Sequence, residues 1–272
     1  MRDLRGQVAR RDQFADTVGT DVVAGTLTGE RVLFVTTPGA EDSVVKRLTT
    51  LINAAGARSV GVLSLNNDLL DPGKAQVVDD VVANVVPAGI SLPDGTATDK
   101  AAVELAAALL KDPGRSDISS DAAAKVIGGF TGADLVDLRP PQGSKSGATQ
   151  EPATLVVIVS GGGNGTAADD VTQQRQRAVL TLARAMDDAS SGAVLVGPES
   201  AAETGGLLAA ARSDGTLSDR VSSVDSVDVS YGAVAAVLAL REQLAGSAGS
   251  YGEGPGADAA APTQSAAPTP SP

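Results

Sequence analysis

Between Thr154 and Pro198 the chain carries an unbroken apolar run, Leu155-Val156-Val157-Ile158-Val159, then a glycine turn, Ser160-Gly161-Gly162-Gly163-Asn164-Gly165-Thr166. An amphipathic stretch follows, and then a second apolar run, Ala193-Val194-Leu195-Val196, closed by Gly197-Pro198. A β-branched run without alternation has no polar face to offer water, so it predicts a strand buried on both sides. Two such strands joined through a helix must lie parallel, because a parallel pair needs a crossover rather than a hairpin. The intervening stretch fits. Val171, Ala178, Val179, Leu182 and Met186 share one helical face. Asp169 and Asp170 fall in the first turn, where the helix dipole favours acids, and Ser191-Gly192 supplies a stop.

A second unit has the same plan. Arg31 to Thr37 reads as a buried strand, Pro38-Gly39 as a turn, and Val44, Val45, Leu48, Leu51, Ile52 and Ala55 as a helical stripe ending at Gly56. Ser59 to Leu65 reads as the next strand. The expected fold is therefore α/β: mostly parallel sheet built from two βαβ-based halves with helices on both faces. Too few residues match between the halves for them to count as a repeat.

The remaining elements follow from their punctuation. Asp71-Pro72 opens a helix with stripe Val77, Val78, Val81, Val82 and Val85. Another helix is expected from about Asp99 to Lys111, and a short one after Asp121, stopped at Gly128-Gly129. Ala133 to Leu138 reads as a strand. Pro140 to Pro152 has linker composition, which divides the chain into halves at 25–139 and 154–246 around a linker at 140–153. Ala202 to Arg212 is expected to be helical, Val221 to Val229 extended, and Ser230 to Leu244 the last helix. Residues 1–24 read as the end of a longer helix or coiled coil, and 247–272, rich in Gly, Ala, Pro, Ser and Thr, as a disordered tail.

Composition then removes whole classes of function. With net charge −12, the chain is a poor partner for nucleic acid or anionic membrane surfaces. It has no Cys and no His, so the usual general base and the usual nucleophilic dyads are missing. Ser160 stands in Val159-Ser160-Gly161, which is not a nucleophile elbow. No apolar run approaches the roughly 18 residues that a spanning helix needs, and the start lacks the apolar core of a signal peptide.

What remains as candidate chemistry is modest. Gly161, Gly162, Gly163 and Asn164 lie where strand passes to helix, the position at which α/β folds hold phosphates. The glycine spacing is not that of the dinucleotide fingerprint, and no acid stands at the ribose position. Gly143-Ser144-Lys145-Ser146 lacks the leading glycine of a phosphate loop and reads as linker. The acidic pairs Glu41-Asp42, Asp79-Asp80, Asp169-Asp170 and Asp187-Asp188 sit on helices, where adjacent side chains diverge and do not converge on a metal. Asp225 and Asp228 differ, because they fall between an extended segment and the last helix, as a site or as a helix cap.

The last structured segment carries a resemblance. Val221-Ser222-Ser223-Val224-Asp225-Ser226-Val227-Asp228, then Gly232 to Leu240, then Tyr251-Gly252-Glu253-Gly254 resemble the C-terminal signature of the mycobacterial copper-transport protein B (MctB-like) family. Val35-Thr36-Thr37-Pro38-Gly39-Ala40, Val60 to Leu65, Leu92-Pro93 and Val156 to Gly163 resemble its strands and turns in the same order, over roughly residues 20–254. The resemblance adds Tyr251 to the candidate contacts. It implies an extracytoplasmic domain of the actinobacterial cell envelope, anchored in full-length form by an upstream transmembrane helix and a coiled coil. It also implies a role in copper homeostasis, an envelope or membrane protein partner, and self-association through the N-terminal helix. A related branch implies a cell-separation scaffold that regulates a peptidoglycan hydrolase with a membrane partner. The residues argue against direct copper binding: copper favours Cys, Met and His, and the chain offers only two Met, one of them Met1. The expectation is thus a non-enzymatic domain with no cofactor and no metal site, its enzyme-class rival being a nucleotide- or sugar-phosphate-binding α/β domain.

Overall fold

The computed structural model describes residues 18–111, 118–141 and 151–263. One seven-stranded sheet organises them, in the order β3-β2-β1-β4-β5-β6-β7. The strands are β1 (Arg31–Thr36), β2 (Arg58–Leu65), β3 (Val136–Arg139), β4 (Leu155–Val159), β5 (Ala193–Val196), β6 (Ser222–Val224) and β7 (Ser250–Tyr251). All neighbours are parallel except β3, which closes one edge antiparallel to β2. The two βαβ units therefore share a single sheet and meet where β1 pairs with β4, Val32 opposite Leu155 through Thr36 opposite Val159.

Side-chain alternation splits the core between the two faces. Val32, Phe34, Leu155, Val157, Val194 and Val196 face α2 (Asp42–Ala54) and α10 (Ser230–Leu244). Leu33, Val35, Val156, Ile158 and Leu195 face the other way. There they meet α4 (Ala75–Val85), α5 (Ala97–Leu109), α6 (Ser120–Gly132), α7 (Asp170–Asp188) and α8 (Leu207–Ser213). All five residues of β4 are buried, as expected of a strand covered on both faces. Shorter helices complete the chain: α1 (18–23), α3 (Asn67–Leu70) and α9 (Gly215–Ser218).

Local signals account for most boundaries. The Thr96 hydroxyl accepts from the Asp99 amide while the Asp99 carboxylate accepts from Thr96, a capping box that starts α5. Asp169 caps α7 by accepting from Thr172. Asp71 caps a single 3-10 turn before α4 rather than α4 itself.

Four further expectations are corrected. First, α6 runs through Gly128-Gly129, because a side chain at Gly129 would stand 2.4 Å from Val85 Cγ1; the glycine serves helix contact and not helix termination. Second, Val77 and Val171 lie outside the buried stripes of α4 and α7, at 43% and 48% exposure, the latter in the first turn of its helix. Third, the stretch 202–212 is not one helix: a 3-10 turn (Glu199–Ala202) ends where it was to begin, and α8 starts only at Leu207. Fourth, the tail is not featureless after Gly246: β7 extends the sheet, and Tyr251 bridges to Ala259. The helix end at 1–17, the linker at 142–150 and the tail at 264–272 lie outside the described residues.

Candidate functional site

The crossover from β1 leaves across one face of the sheet, through α2, and that from β4 across the other, through α7. In doubly wound sheets this reversal opens a crevice at the carboxyl ends of the two strands, and ligands settle there. Here backbone fills it. A Cβ on Gly161 would stand 2.9 Å from the carbonyl carbon and oxygen of Gly39, so the two loops approach more closely than any side chain allows. Gly163 is pressed in the same way onto Ser200 and Gly206. The Gly161 N–H donates to Thr37 Oγ1 at 3.4 Å. Asn164 is exposed and spends its side-chain oxygen on Thr166, accepting from the amide at 3.1 Å and the hydroxyl at 2.8 Å. Gly162 is exposed beside them. The turn is a packing seam between loops, not an open cradle of amides. Ser160, 3% exposed, has no hydrogen-bond partner for its hydroxyl among the described residues, and so no base among them to activate it.

Asp225 and Asp228 are not brought together. Asp228 is exposed, and its carbonyl accepts from the Arg47 guanidinium. Asp225 is wholly buried at the end of β6. Its Oδ1 accepts from Ser226 Oγ at 2.7 Å and the Glu253 amide at 2.8 Å. Its Oδ2 accepts from the Arg212 guanidinium and the Gly254 amide, both at 3.0 Å. Arg212 also donates to Ser223 Oγ, the Tyr251 carbonyl and the Pro255 carbonyl. A Cβ at Gly252, whose φ is +125°, would lie 2.1 Å from Asp225 Oδ1, so only glycine lets the chain wrap the carboxylate this closely. The result is a clasp that ties residues 251–255 to the sheet. Tyr251 belongs to it twice, through its backbone and through its hydroxyl, which donates to Glu242 at 2.5 Å. Burial, and then the bond to Glu242, push the Tyr251 phenol above its ordinary range. Asp225 caps no helix: α10 begins at Ser230, and its N-cap, Val229, makes no side-chain cap bond.

Two residues of consequence escape the sequence reading. Arg212 reads only as the end of a helix, and nothing in its neighbourhood signals a partner 13 residues on. Glu104 did leave a signal, as the lone acid in Ala101-Ala102-Val103-Glu104-Leu105-Ala106. It is fully buried on α5, neither carboxyl oxygen has a hydrogen-bond partner among the described residues, and burial pushes its pKa up to about 7. Among the described residues no group of three or more His, Cys, Asp or Glu is arranged to hold a metal ion. Among them, too, no helix is long and apolar enough to cross a membrane.

Comparison with known proteins places this architecture. Residues 1–262 match the family model described as copper transport outer membrane protein, MctB. The chain is similar to the copper transporter MctB of Mycobacterium tuberculosis, 26% identical over 260 residues, covering 93% of this chain and 80% of the relative. The Mycobacterium bovis protein of that name matches to the same extent. That of Mycobacterium leprae is 25% identical over 247 residues, covering 87% of this chain and 74% of the relative. On a match that spans nearly the whole sequence, the chain belongs to the MctB family.

Proposed function

We propose that this chain is a non-enzymatic, extracytoplasmic domain of the cell envelope that serves copper homeostasis through protein contacts rather than by holding the metal. The donor inventory carries this reading. The relatives are named copper transporters, yet the whole sequence contains no His, no Cys and two Met. Met186 is fully buried in the α7 stripe, and Asp225 already has both oxygens occupied. Soft thiolate and thioether ligands select copper(I), and imidazole suits copper(II).

The contact surface favoured by the structure is α1. Gly19 packs on Val234 of α10, which leaves Val18 and Val22, one turn apart, at 40% and 37% exposure. An apolar pair at that spacing suits helix pairing, with a second copy or with an envelope partner. In this reading an anchor precedes the domain in the full-length protein. Isothermal titration with copper(I) and copper(II) should show no site tighter than micromolar; a nanomolar stoichiometric site would overturn the proposal.

A further inference from the structure

A recess of about 820 Å³ lies between α5, α7 and the loop 89–94. None of its lining residues belongs to the glycine seam or to the clasp, and its volume falls in the range of small-molecule sites. The floor is apolar, made by Val103, Ala106 and Ala107 of α5 and by Leu110 just past its end, with Leu180 of α7 and Ile90 of the loop. Around it stand four acids, of which three have other work. Asp99 accepts from Thr96 at the α5 cap. Asp214 caps α9 and faces Arg184 at 3.8 Å. Asp188 is paired with Arg220. Asp94 is left, in the exposed loop.

The opposite wall supplies the selectivity. Arg177 and Thr181 sit one turn apart on the face of α7 that lines the recess. Neither side chain has a hydrogen-bond or ion-pair partner among the described residues, whereas Arg184, the other arginine lining the recess, faces Asp214. A planar guanidinium with a hydroxyl beside it matches the oxygens of a carboxylate or phosphate. We propose that this recess binds a small amphiphile with a single anionic head, its head on Arg177 and Thr181 and its apolar body on the α5 floor. The inference does not depend on the copper reading above.

The test is titration of the whole protein with decanoate, decanol and decyltrimethylammonium, each below its micellar concentration. Decanoate should bind saturably at one to one and more tightly than either other probe. Because a hydrogen bond to a charged group contributes about 1.5–3 kcal/mol, Arg177→Glu should weaken decanoate about tenfold or more and leave decanol unchanged. Ala107→Leu, which fills the floor, should weaken both. Arg177 is exposed, so its replacement does not threaten the fold. Absence of saturable decanoate binding, indifference to Arg177→Glu, or tighter binding of the cationic probe would each overturn the proposal.

Discussion

Asp225 and Glu104 are both sealed from water, and their surroundings are opposite. Asp225 sits where a strand ends and a loop returns, so backbone amides and a guanidinium converge on it and each oxygen accepts two hydrogen bonds. Glu104 sits mid-helix, where every backbone amide is already used by the helix, and its two oxygens accept none. Lys100, one turn earlier, is turned to Asp79 on α4 at 3.0 Å. The lesson is that burial of an acid is neither stabilising nor destabilising in itself. A loop can bring donors to a carboxylate; a helix interior packed against α4, α6 and α7 cannot.

The largest consequence is expected at Asp225. Asp225→Asn keeps the shape but leaves Arg212 buried at 5% side-chain exposure without its counter-charge. Breaking a buried pair from one side costs about 3–5 kcal/mol, to be read from urea unfolding. A loss below about 1 kcal/mol would mean that the amides alone hold the clasp, and would break the contrast.

Glu104 should behave with the reverse sign. Its folded pKa of about 7 stands above the ordinary 4.5, so the folded state keeps the proton that the unfolded state releases. The penalty is absent below about pH 4.5, grows as pH rises towards 7 and is complete above it, at about 3 kcal/mol. Glu104→Leu should therefore stabilise the protein at pH 8 by up to that amount and much less at pH 5. Thermal unfolding at the two pH values checks it. Equal gains at both would show that the carboxyl finds water or a donor in solution.

Tyr251→Phe offers the finest measure. It removes the hydroxyl that donates to Glu242 and leaves the backbone of the clasp intact. The expected loss is about 1 kcal/mol, the usual net worth of one such bond. A loss matching that of Asp225→Asn would move the weight of the clasp from the carboxylate to the ring.

How much of this could be read from the residues depends on range. The strands at 31–36, 155–159 and 193–196 are legible because a β-branched run declares burial by itself. So are α2 and the buried part of the α7 stripe, whose period is local. Gly128-Gly129 misleads because a glycine that stops a helix and one that admits Val85 look alike. Gly161 and Gly163 misleads in the same way: their place after a strand suggests ligand, whereas the space is taken by Gly39 and Ser200. The region after Gly246 is composed like a disordered tail; its order comes from the bonds to Asp225 and Arg212 and from Tyr251 and Ala261, which pack on the core. Spacing after a strand marks Asp225 as unusual, but only tertiary structure supplies Arg212.

The clasp also gives the fold a direction in time. Its anchor residues leave the ribosome well before Glu253 and Gly254, whose amides complete their coordination. A nascent chain that stopped short of Ser250 would hold a charged pair against a missing strand, with two acceptor positions empty. Proteases clear chains that spend more time unfolded, so a chain cut before Ser250 is expected to turn over faster than one whose amides complete the carboxylate.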